Sequence, residues 1–86
     1  MEQTELKRQV LDILTRIAPE ADAVGIKPEL AFREQFDFDS MDFLNFCTAL
    51  SKRFGVSIED RDYLRLGSLD GCLAFLAEHR ATRVQD

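Results

Sequence analysis

Hydrophobic positions recur at helical spacing in three stretches of this 86-residue chain, and no stretch alternates with a period of two. In the first, Leu6, Val10, Ile13, Leu14 and Ile17 form one stripe of an amphipathic helix, predicted over about residues 5–17. Thr4 suits its N-cap, and Pro19 closes it. The second helix runs from Ser40 or Met41 to Phe54 and stops at Gly55, the residue type expected just past a helix end. At about 100° per residue, Phe43, Phe46, Cys47, Leu50 and Phe54 fall on one face, with Met41, Leu44, Asn45, Thr48 and Lys52 towards the other. In the third stretch Ser68 caps a helix predicted to reach Arg80, with Leu69, Cys72, Leu73 and Leu76 sharing a face. Gly71 lies opposite them at some cost in helix propensity, and Ala81 to Asp86 are expected to fray.

The connections carry signals of their own. Residues 19–39 hold Gly25, Pro28 and the apolar residues Ile26, Leu30, Phe32 and Phe36, which predicts a packed loop with one helical turn opened by Pro28 and running through Leu30 and Phe32. After Gly55, Val56-Ser57-Ile58 is too short for a strand, and Glu59 to Leu64 suits one or two helical turns. The predicted architecture is all-α: a four-helix bundle of three main helices and one short third helix, in a single domain over residues 1–86.

Composition narrows the possible roles. At 45% hydrophobic and 31% charged residues the chain is globular, and it is too short to hold two cores. Sixteen acids against eleven bases give a net charge of -5, a field that repels nucleic-acid phosphates and attracts basic proteins. The N-terminus is charged and the apolar runs are short, so no membrane span or secretory signal is expected, and a cytoplasmic location is. Cys47 and Cys72 read as reduced core residues, and with His79 the only histidine no metal-ligand cluster is expected.

One segment concentrates chemistry. Between Glu34 and Asp42 stand four acids and no base, with Ser40 among them where a loop enters an amphipathic helix. A hydroxyl at that position is exposed, and the free N–H groups of the first turn favour a phosphate ester on it. Asp39 and Asp42 repel such a phosphate, which turns it towards solvent and leaves the acids to attract a basic protein. The plainest reading makes Ser40 or Asp39 an N-cap, with acids that complement the helix dipole. A calcium loop starting at Asp37 fails, because Met41 takes the fifth position, Asp42 stands where the turn glycine belongs and Thr48 replaces the terminal Glu. A serine hydrolase lacks both a base near Ser40 in the sequence and a G-x-S-x-G elbow.

Asp39-Ser40-Met41-Asp42 resembles the D-S-[LM]-[DE] signature that opens the second helix of the acyl carrier proteins and the related peptidyl carrier domains. The likeness spans essentially the whole chain: a first helix, a long loop, a helix ending in Phe54-Gly55, Ile58 at the third-helix region and Ser68-Leu69 opening the last. The resemblance implies that Ser40, next to Asp39, is the attachment point for 4'-phosphopantetheine, donated by coenzyme A through a phosphopantetheinyl transferase. It implies that the thiol of the arm holds an acyl group as a thioester. The chain itself then catalyses nothing and presents a tethered substrate, at raised effective concentration, to enzymes that transfer or modify acyl groups. The second helix is the family's main recognition surface, which makes Asp37, Asp39, Met41, Asp42, Leu44, Asn45 and Thr48 the expected docking face for partners with basic surfaces.

Two departures from the fatty-acid type stand out. Asp37 replaces a glycine, and the helix carries Asn45, Ser51, Lys52 and Arg53 in place of a run of acids, so negative charge gathers at the helix start. Because rim charge selects partners, a specialised fatty-acid, polyketide or related pathway is expected, with the carrier a monomer. Phe36, Phe38, Phe43 and Phe46 crowd Ser40, and they either fill the space between the helices as core or line it for an acyl chain. The competing reading is a carrier-like helical module that is never modified and acts only through its acidic patch and its Met41-Leu44 face.

Overall fold

The computed structural model describes residues 3–21 and 25–84. Its elements are α1 (Gln3–Ile17), α2 (Phe32–Gln35), α3 (Ser40–Phe54), two 3-10 turns at Asp60–Asp62 and Arg65–Gly67, and α4 (Leu69–Val84). An isolated antiparallel bridge joins Ala31 to Ser68, and no strand is present among the described residues. The expected all-α bundle is therefore what forms. Among the described residues no helix is long and apolar enough to cross a membrane.

Helix α1 packs against both α3 and α4, and the second 3-10 turn packs against α4. Leu6, Val10, Ile13 and Leu14 are buried as their spacing requires, facing Phe46, Cys47, Leu50 and Phe54 of α3 and Leu69, Cys72, Leu73 and Leu76 of α4 in one core. Phe75, fully buried as well, belongs to that core although it falls outside the apolar stripe read from the sequence. Helix α3 has the predicted bounds. Gly55 closes it in the left-handed region at φ 64°, where only glycine is free of steric cost. Ser51 completes the cap: its carbonyl accepts the Val56 N–H at 3.2 Å while its hydroxyl donates to the Val56 carbonyl at 2.6 Å.

Four expectations shift. Thr4 is not the N-cap of α1 but lies inside the helix, which starts at Gln3; the Glu5 carboxylate holds Arg8 and Gln9 across the first turn and complements the helix dipole there. The helical turn of the long loop starts at Phe32 rather than Pro28. The Gln35 side chain contributes to this, since its amide accepts from Lys27 N at 2.7 Å and donates to the carbonyls of Lys27 and Leu30 at 2.8 and 3.0 Å, satisfying those three backbone groups without helix. The short third helix is replaced by the two 3-10 turns, the first closed by the Glu59 N–H on the Asp62 carboxylate at 2.9 Å. Finally, α4 continues through residues 81–84, where no Gly or Pro interrupts it, and the rest of the expected frayed tail lies outside the described residues.

Gly71 is placed by contact. A Cβ there would meet the Arg65 carbonyl oxygen at 1.7 Å, so the bare backbone lets the second 3-10 turn lie against α4, while Ser68 Oγ accepts the Gly71 N–H at 3.2 Å. Gly71→Ala gains about 1 kcal/mol of helix propensity but must push this turn away. The net expectation is a loss of about 2 kcal/mol, read as a lowered urea midpoint.

Both cysteines are free and buried, as expected. Cys72 Sγ donates to the Leu66 carbonyl at 3.4 Å. Burial pushes the Cys47 thiol from 9.0 up to about 11 and the Cys72 thiol higher still. The folded chain thus holds these protons more tightly than the unfolded chain, so their contribution is complete below about pH 9 and is lost as the pH rises through the folded values. Urea midpoints should fall between about pH 8 and about pH 10.5, with a shallower fall in the Cys47→Ala/Cys72→Ala protein.

Candidate carrier site at the start of helix α3

The loop entering α3 is held by a run of aromatic contacts. Phe32 is buried and meets Phe36, Phe38 and Phe46 at ring-centroid distances of 5.9, 5.7 and 5.5 Å. Phe38 also meets Phe43 at 6.3 Å and Phe46 at 6.0 Å, so the residue two places before Ser40 is locked to the inner face of the helix it precedes. Asp37 adopts no positive φ, so the position that holds glycine in the fatty-acid type accepts a side chain here without strain.

Asp39 is the N-cap. Its backbone is extended, and its Oδ1 accepts the Asp42 N–H at 2.9 Å, while its carbonyl accepts the Phe43 N–H at 2.9 Å. Ser40, the first helical residue, is exposed, and its hydroxyl makes no hydrogen bond among the described residues. The choice left open by the sequence, Ser40 or Asp39 as cap, is thereby decided by geometry. Ser40 keeps a free hydroxyl at the surface.

An open cleft of about 510 Å³ lies beside it. Phe38, Phe43, Tyr63 and Leu64 supply its apolar walls, and Arg33 and Asp39 are its charged members. The question of filling or lining divides residue by residue: Phe46 is buried and fills the core, half-buried Phe38 and Phe43 line the cleft together with one side of buried Phe32, and half-buried Phe36 lies outside its lining. Phe43 stands edge-on to Tyr63 at 5.7 Å. Tyr63, Leu64 and Arg33 were not singled out by sequence reasoning, because they reach the cleft from other elements, the 3-10 region and α2. Leu64, 95% exposed, carries the one local signal, an apolar residue between two polar turns.

Helix α3 presents the expected outer face. Met41 is 71% exposed and Leu44 49%, with Asn45 and Thr48 exposed between Asp42 and Lys52. Asp37, Asp39 and Asp42 enter no ion pair among the described residues, and their charges stand uncompensated around Ser40. His79 is not among the residues that line the Ser40 cleft: its ring packs on Phe75 at 3.9 Å and its Nδ1 lies 2.9 Å from the Phe75 carbonyl. Among the described residues no group of three or more His, Cys, Asp or Glu could hold a metal ion.

Residues 8–76 match the family model described as a phosphopantetheine attachment site. The chain belongs to the acyl carrier protein family. It is 25% identical over 80 residues to an acyl carrier protein of Rubrobacter xylanophilus, covering 93% of this chain and 98% of that one. It is also 25% identical over 79 residues to acyl carrier protein 2, mitochondrial, of Arabidopsis thaliana, covering 92% of this chain and 62% of the relative. Members of the family bear a covalently attached phosphopantetheine, and they are carriers rather than enzymes. The residues at the start of α3 fit such a group: a surface hydroxyl free of structural duty, at a helix N-terminus, opening onto an apolar cleft.

That division of labour predicts unequal stability effects at neighbouring positions. Asp39→Ala removes the cap and should cost about 1 kcal/mol. Ser40→Ala should leave the urea midpoint unchanged to within about 0.5 kcal/mol, and an equal loss at both would show that the hydroxyl does structural work.

Proposed function

We propose that Ser40 carries the phosphopantetheine arm and that this carrier brings acyl groups to enzymes of a specialised pathway. The observation that supports the reading is the free, exposed Ser40 hydroxyl at the first position of α3, its capping role taken by Asp39. In the loading step Ser40 Oγ forms a bond to the phosphorus that bears the pantetheine half of coenzyme A. The pyrophosphate linkage breaks, an adenosine bisphosphate leaves with the electron pair, and the serine proton passes to a base of the phosphopantetheinyl transferase. When bound, the arm supplies a thiol on which an acyl group is held as a thioester. The chain contributes position: the Phe32-Phe38-Phe46 contacts fix the loop, and α3 holds Ser40 beside the face formed by Met41, Asp42, Leu44, Asn45 and Thr48.

That face suits partners with basic rims and an apolar centre, because acids surround Ser40 while Met41 and Leu44 stay exposed beside them. Lys52 and Arg53 close the helix about 18 Å further along its axis and set this carrier apart from one with an acidic helix throughout. Arg53 is engaged with Asp12 at 3.6 Å, which leaves exposed Lys52 as the charge a partner meets.

Incubation with coenzyme A and a broad-specificity phosphopantetheinyl transferase should add the mass of one phosphopantetheine, and Ser40→Ala should add none. Loaded Lys52→Glu protein should be acylated faster by a fatty-acid-type transferase than loaded wild type. No mass gain with several transferases would instead favour an unmodified module that acts through its acidic patch.

A further inference from the structure

Loading Ser40 adds a negative phosphodiester to a place already crowded with Asp37, Asp39 and Asp42, none of which is in an ion pair among the described residues. Repulsion alone would turn the phosphodiester out to solvent, and only a nearby cation would hold it at the cleft. The free N–H groups at the start of α3 help only in part, because Asp39 already takes the Asp42 N–H. Of the basic side chains, Arg65 is committed to Glu78 through two hydrogen bonds, at 2.9 and 2.6 Å, and Arg61 pairs with Glu59 at 3.5 Å. Arg8 and Arg16 belong to α1, where they pair with Glu5 and Asp12, and Lys52 and Arg53 stand at the far end of α3.

Arg33 differs from all of these. Among the described residues it is exposed, it has no hydrogen bond or ion pair, and it is the only cation lining the cleft onto which Ser40 opens. Its backbone belongs to α2, which Phe32 anchors to the core and the Gln35 amide ties to residues 27–30, so the stem of the side chain starts from a fixed place. A guanidinium offers a planar pair of donors matched to two phosphate oxygens, and between two exposed groups that attraction is screened by salt.

We propose that Arg33 is the counterion of the phosphodiester at Ser40, a positioning residue that offsets the surrounding aspartates and turns the base of the arm towards the cleft. The proposal rests on the reading of Ser40 as the attachment residue. It also gives the cleft two parts: a charged mouth formed by Arg33, and apolar walls formed by Phe38, Phe43, Tyr63 and Leu64.

The test compares unloaded and loaded forms of wild type, Arg33→Gln and Arg33→Lys, with loading verified by intact mass. Because Arg33 is unpaired before loading, the three unloaded proteins should melt together. After loading, wild type should melt about 2 °C above Arg33→Gln at low salt, with Arg33→Lys between them and the difference gone near 1 M salt. The phosphorus resonance of the loaded protein should also move between wild type and Arg33→Gln, a change that a purely structural role for Arg33 would not produce. Equal melting of loaded wild type and Arg33→Gln, with superimposable phosphorus spectra, would overturn the proposal and leave the Ser40 reading intact. A failure of wild type to load at Ser40 would overturn both.

Discussion

The contact on which the site depends is that of Phe32 with Phe38 and Phe46. A buried phenyl ring contributes roughly 1.5–3 kcal/mol, and the edge-on ring pairs add about 0.5–1.5 kcal/mol each. These contacts pin a long loop to the inner face of α3 on both sides of the helix start. Without them, residues 36–39 would enter α3 from an undefined direction, and the first turn would have no fixed relation to the rest of the bundle. With them, Asp39 is delivered in the extended conformation that an N-cap needs, and Ser40 follows it onto the surface.

Structure and chemistry are then divided between adjacent residues. Asp39 holds the helix end, Phe38 holds the loop, and Ser40 holds nothing. A group to be modified by another protein must be reachable, and a hydroxyl engaged in capping would have to give up its hydrogen bond before it could react. Placing the cap one residue earlier removes that conflict. The same separation holds along α3, where Phe46, Cys47, Leu50 and Phe54 face the core while Met41, Leu44, Asn45 and Thr48 remain free on the outside.

The other wall of the cleft comes from chain that is not contiguous with this helix. Tyr63 and Leu64 lie between two 3-10 turns, and the second turn is drawn close to α4 at Gly71, where its Arg65 carbonyl leaves no space for a Cβ. The Asp70 N–H on the Pro28 carbonyl at 3.0 Å and the Ala31-Ser68 bridge tie the long loop to the start of α4 as well. The cleft thus gathers α2, the start of α3 and the 3-10 region around a single exposed serine.

Much of this was legible in the sequence, because helical periodicity and end signals are local. The stripes of α1 and α3, the stop at Gly55, the cap at Ser68, the buried cysteines and the outward Met41 and Leu44 all follow from side-chain spacing and the preferences of single residues. The Asp39-Ser40-Met41-Asp42 motif marked the candidate attachment site, and its surroundings marked the charge. Whatever depended on contacts between different elements was not legible. The shift of the loop helix to Phe32 rests on the reach of Gln35 across eight residues, and the need for glycine at position 71 rests on a carbonyl six residues away in another element. The split among the phenylalanines, with Phe46 filling and Phe38 and Phe43 lining, and the arrival of Arg33 at the cleft that Ser40 lines were decided only when the elements packed. The sequence by itself determined the three main helices and marked Ser40 as the candidate for modification, since those follow from local backbone and side-chain preferences. The tertiary structure alone decided what surrounds the serine, because burial and the meeting of distant side chains exist only once the core has closed.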